Sequence, residues 1–170
     1  MKKTAIILVM AIMPLAMAAQ QDVPERIFQK YSGIPGITSV QISPGMFNLI
    51  AGMDPDDHDL KSLASAVSSV LILHAPEALV KSHSFNLYNE VLKDLTVEQY
   101  DELMRVSSAE QQVLMLASEE GGLVKELILL VGGDGDNVLI CIKGSIDMNK
   151  IASLSGINAP GMQHFMNLND

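Results

Sequence analysis

Three β-type runs set close together, at 112–117, 123–131 and 138–146, constrain this chain more than any other feature. Two loop-like stretches separate them: Ser118-Glu119-Glu120-Gly121-Gly122, and Gly132-Gly133-Asp134-Gly135-Asp136-Asn137. Glycine supplies positive φ at no steric cost, and Asp and Asn side chains bond back onto the local backbone. Each loop therefore joins its neighbours as an antiparallel hairpin. A sheet built this way must bury apolar side chains against another layer, and helical patterns upstream supply that layer.

Those patterns begin with Val23, Ile27, Phe28 and Tyr31, a helical stripe over 22–31 with Pro24 in the first turn and Gly33 past the end. Residues 38–43 alternate weakly between Gly36 and Pro44 and read as a strand, and 45–52 as a short helix with Met46, Phe47, Leu49 and Ile50. After an acidic break at 54–59, Leu60, Leu63, Ala64 and Val67 recur at helical spacing. Val70-Leu71-Ile72-Leu73 is a continuous apolar run, suited to a strand buried on both faces. Pro76 opens one longer helix carrying Leu87, Tyr88, Val91, Leu92 and Leu95.

Residues 100–106 admit two readings. Thr96 and Gln99 resemble a capping box, whereas Tyr100, Glu102, Met104 and Val106 fit strand alternation; we take the segment as the opening strand of the meander. Asp147 caps a last short helix through Ile151 and Leu154, and the tail from Asn158 has no clear period. This order predicts an α+β fold, with a mixed or antiparallel sheet ending in a β-meander and helices packed on one face. The expected division is a signal peptide at 1–18, a single domain over 19–157 and an irregular tail at 158–170.

The signal peptide is read from Lys2 and Lys3, the apolar run at 5–15 and the small-residue site Ala16-Met17-Ala18. The run falls short of the ~20 residues that a spanning helix needs. Cleavage after Ala18, or one residue later, leaves a soluble exported protein in the periplasm or outside the cell. The only cysteine, Cys141, lies far from the cut, so no lipid anchor is expected, and a disulfide framework within the chain is excluded. Losing the two lysines takes the net charge from −9 to −11. So acidic a chain lacks the cationic footprint of a nucleic-acid binder and is not drawn to anionic lipid.

Several of these segments, taken together, resemble one family. They are the Lys-Lys start, Tyr-Ser-Gly at 31–33, Thr-Ser-Val-Gln-Ile-Ser at 38–43 with Met46-Phe47, Tyr100-Asp101-Glu102-Leu103-Met104, Val124-Lys125-Glu126-Leu127, and Ile142-Lys143-Gly144-Ser145-Ile146-Asp147. The family comprises small exported proteins of Bacteroidetes, often lipoprotein-like, known only as a domain of unknown function. The resemblance implies a Gram-negative envelope protein and supports the strand reading of 100–106. It transfers no catalytic residue, and this chain departs from its lipoprotein-like members in lacking a cysteine at the cut.

No local pattern assembles a catalytic site. Asp54, Asp56, Asp57, His58 and Asp59 could gather a hard cation such as Ca²⁺, but an EF-hand register from Asp54 puts Asp59 where Gly belongs and Ser65 where Glu belongs. The plainer reading is a solvated turn with Asp near a helix N-terminus. The 132–137 loop has no Lys-Ser/Thr after Gly135 and leads into a strand, so a tight hairpin connection explains it better than a phosphate loop. Asp134, Asp136 and Asn137 there are at most weak cation ligands.

Cys141, between Ile140 and Ile142, reads as a buried side chain rather than a nucleophile. His58, His74, His83 and His164 share no metal-binding spacing, and there is no G-x-S-x-G elbow. Met46, Met53, Met104 and Met115 suit irregular core filling, whereas Met162, Phe165 and Met166 in the tail suit docking, within the chain or on a partner. The sequence assigns no catalytic residue, metal or cofactor. It favours a non-enzymatic binding module with an envelope protein as partner, and Lys125, Glu126 and Lys143 as solvent-side candidates for that contact. The alternative is a cation-dependent binding or hydrolytic protein centred on the 54–59 turn.

Overall fold

The computed structural model describes residues 22–53, 58–83 and 85–147. In chain order the elements are α1 (Val23–Tyr31), β1 (Thr38–Ile42), α2 (Pro44–Met53), α3 (His58–Ala66), β2 (Val67–Ala75), α4 (Glu77–His83), α5 (Leu87–Leu92), a 3-10 turn (Val97–Gln99), β3 (Asp101–Ser107), β4 (Gln111–Glu120), β5 (Leu123–Gly133) and β6 (Asn137–Ile146). The strands form one sheet in the order β1-β2-β6-β5-β4-β3, antiparallel at every pairing. β3 to β6 run as a meander, and β6 then lies down beside β2. This is the α+β arrangement expected from the sequence, with the sheet wholly antiparallel.

Local chemistry explains the boundaries. The Asp22 carboxylate accepts the N–H of Glu25 at 3.1 Å and caps α1, while Pro24 sits where a missing N–H costs nothing. Residues 101–107 form the expected strand, and the capping-box signal before it resolves into the 3-10 turn, with no side-chain cap from Thr96.

One expectation fails. The single long helix after Pro76 is two short ones, α4 and α5. The Asn86 side chain accepts the N–H of Asn89 at 3.0 Å, and Asn137 Oδ1 accepts the N–H of Leu87 at 2.8 Å. Two asparagines thus satisfy N–H groups of a first turn, and a fresh helix starts where the apolar stripe alone suggested continuity.

α1 and α5 pack on one face of the sheet. There the cross-strand neighbours Leu73, Leu139, Leu130 and Leu114 form one row, and Leu71, Cys141, Ile128 and Leu116 the next. None of the eight is more than 2% exposed, and Ile27, Phe28, Leu87, Tyr88 and Val91 of the two helices join them in one cluster. Each buried leucine there contributes roughly 1.5–3 kcal/mol relative to exposure. α5 comes close enough that a Cβ on Gly132 would lie 2.3 Å from Tyr88 Cβ, so only glycine fits beneath it.

Both rows end in polar residues. On the outer strands, Ser39 and Arg105 flank the first row, and Gln41 and Glu102 the second.

Candidate functional site

Strand alternation sends the intervening residues to the opposite face. The register there lines up Val40, Ile72, Ile140, Leu129, Met115 and Met104, one from each strand across the full sheet. On one side of this row runs Thr38, His74, Val138, Val131, Val113 and Val106. On the other runs Ile42, Val70, Ile142, Leu127, Ala117 and Asp101. Of these eighteen side chains only Asp101, at an outer end, is a carboxylate, and His74 is the one other ionisable group.

The inner members of the first two rows are half-buried. At the outer strands Val40 and Met104 are each 40% exposed and Val106 is 49% exposed. α3 reaches this side at one end, where a Cβ on Gly144 would meet the carbonyl oxygen of Ala66 at 2.0 Å. Near that end Ala117, Val124 and Ile146 are buried, and the described residues packed on them, Val67, Leu127 and Ile142, are strand residues too. An antiparallel sheet with one face in water ordinarily alternates apolar and polar. Here both faces are apolar; α1 and α5 lay a helical layer over one, while α3, whose Ala64 is buried, reaches the other at one end. We call the other the open face. Chemically it offers shape and apolar area for contact and no proton donor or nucleophile along its central row.

The sequence-derived contact candidates lie elsewhere. Glu126 and Lys143 are not solvent-side residues: they pair across β5 and β6 on the helix-covered face. Lys143 Nζ donates to Asp22 and, at 3.0 Å, to Glu25 Oε1, tying the start of α1 to the last strand. Burial opposes the Lys143 charge, but hydrogen bonds to the Asp22 and Glu25 carboxylates outweigh it and raise the ammonium's pKa above the ordinary lysine value. Glu126, 9% exposed, accepts from Tyr100 Oη at 2.6 Å and from Cys141 Sγ at 3.2 Å. Burial first, then the Glu126 carboxylate, push the Cys141 thiol well up, so it stays protonated beneath α1. A register irregularity falls at Lys125, whose Nζ donates to Ser145 Oγ at 3.2 Å. The pattern of charges could not expose this: it requires knowing that α1 returns over the far end of the sheet.

The 132–137 loop is a hairpin connection, as read. Asp136 accepts from the N–H of Glu77 at 2.8 Å and pairs with His74 Nε2 at 3.0 Å, which lowers its pKa, His74 being the larger cause. Asn137 Nδ2 donates to the carbonyls of Gly133 at 3.1 Å and Gly135 at 3.0 Å. These polar groups hold the loop and start α5. Residues 54–57 of the acidic turn, the helix expected after Asp147, His164, Met162, Phe165 and Met166 lie outside the described residues, as does the signal peptide. His58 and Asp59 begin α3, and His83 ends α4. Among the described residues, no three His, Cys, Asp or Glu side chains gather as a metal site. Nor is any described helix long and apolar enough to cross a membrane.

The open-face edges Val40, Met104 and Val106 escaped the sequence reading. The runs at 127–131 and 138–142 are as unbroken as Val70-Leu71-Ile72-Leu73 and demand cover on both sides, but they say nothing of the outer strands.

Six antiparallel strands with helices packed on them define an α+β protein. Residues 31–154 match the family described as a domain of unknown function (DUF4252), and the chain belongs to it. That span holds all six strands and so the whole open face. No curated protein and no solved structure matches the chain.

Proposed function

We propose that this is a non-enzymatic, exported binding protein of the Gram-negative envelope that engages another protein through its open sheet face. The observation that carries the reading is the row from Val40 to Met104, apolar from one edge of the sheet to the other. A soluble chain seldom leaves so large a contiguous apolar area in water unless something is to be bound there. The leader-like segment at 1–18 and the acidic composition support the exported, soluble half of the reading.

Photo-crosslinking in cells tests it. A benzophenone amino acid at position 104 or 129, on the open face, should yield adducts of defined mass that the same probe at position 39 or 41 does not. Equal yields from the two sets, or none from either, would refute the reading.

A further inference from the structure

The proposed contact surface has a width, and the width selects its occupant. We infer that the molecule seated on the open face is a second copy of this chain, the two sheets packing face to face. The inference rests on the reading of that face as the contact surface. Six strands about 4.8 Å apart make the apolar row about 24 Å wide, whereas a helix with its side chains is about 10–12 Å across. A single helix laid along the strands would cover about two of them and leave Val40 or Met104 bare. A cover that requires apolar residues on both outermost strands is itself about as wide as the sheet, and another sheet of this kind meets that requirement.

Area and charge agree. Three rows about 7 Å apart over this width give a footprint on the order of 550 Å² per copy, or about 1,100 Å² for the pair, just above the ~1,000 Å² that a specific interface needs. The chain carries a net −9, so two copies repel over most of their surfaces. The rows hold no Lys, Arg or Glu, and Asp101 stands at a margin, which makes this the side on which two acidic bodies approach without burying unpaired charge. A two-fold axis through the sheet makes the same patch complementary to itself.

Sedimentation equilibrium of the mature, full-length chain tests the inference. The expected result is a dimer that tightens as salt rises, because screening relieves repulsion between the copies. Val40→Lys with Met104→Lys should weaken it at least about a hundredfold by placing like charges in the interface. Both positions are 40% exposed, so the substitutions spare the fold, and an unchanged circular-dichroism melt at low concentration checks that. Leu129→Lys, at the centre, gives an independent second variant. A chain that stays monomeric at its solubility limit overturns the inference, as does a dimer indifferent to these substitutions. If a monomer still gives open-face adducts to a different protein, the contact surface stands and only the self-association falls. If a monomer gives no adducts, both fall.

Discussion

The two faces of the sheet differ most at their margins. Under α1 and α5 the leucine rows occupy the four inner strands and stop at Ser39, Gln41, Glu102 and Arg105, where the helical cover stops too. On the open face the corresponding outer positions are Val40 and Met104, with Val106 beside them. Polar margins mark the limit of what a chain buries by itself. On the open face the central row stays apolar out to both outer strands. Edge strands usually resist unwanted pairing with charge; on β3 that charge is Glu102 and Arg105 on the covered side, bonded to each other at 2.9 Å, and Asp101 alone at a corner of the open face.

Adjacent leucines of β5 offer the sharpest way to break this contrast. Leu130→Ala, on the covered face with no exposed area, should cost about 3–5 kcal/mol through lost burial and a residual cavity. Leu129→Ala, on the open face, should cost about 1 kcal/mol in dilute solution and more as concentration rises and the copies associate. Urea melts at two protein concentrations read both. Equal costs at every concentration would mean that the chain seals its two faces alike.

Next in size is Asn137→Ala, which strips the Leu87 N–H and two loop carbonyls of their partner and should cost about 2 kcal/mol. The covered face should also be alkali-sensitive. In the unfolded chain the Cys141 thiol ionises near its ordinary value of 9.0, whereas in the fold it holds its proton far above that. Below that pH this thiol contributes no pH dependence; above it the unfolded state alone releases the proton, and stability falls. Tyr100 is shifted the same way, by burial and then by its bond to Glu126, and adds a later decline. Thermal melts should therefore show a falling midpoint from about pH 9 that begins later in Cys141→Ala. The smallest effect is expected at the open margin, where Val40→Thr and Met104→Gln should each change dilute-solution stability by no more than about 0.5 kcal/mol while weakening association.

Much of the sheet was legible because its signals are local. Gly121-Gly122 and the 132–137 loop mark hairpins whose register follows from alternation on either side. The break between α4 and α5 was not, because half of the cap that makes it comes from Asn137, 50 residues downstream. Lys143 was misread for the same reason: its partners Asp22 and Glu25 lie 121 and 118 residues away. The open face was half legible. Unbroken apolar runs announce burial on two sides, but only the assembled strand order reveals that their rows reach β1 and β3.

That strand order also sets a schedule. β2 is complete by Ala75, yet one of its two ladders is supplied by β6, which begins at Asn137. A ribosome delivers the N-terminal strands first, so the β1–β2 hairpin waits through some sixty residues with one flank unzipped, and the Asp22–Lys143 clasp can fasten only when the last strand arrives. Such late, long-range closure slows folding and leaves the nascent chain vulnerable to stray pairing.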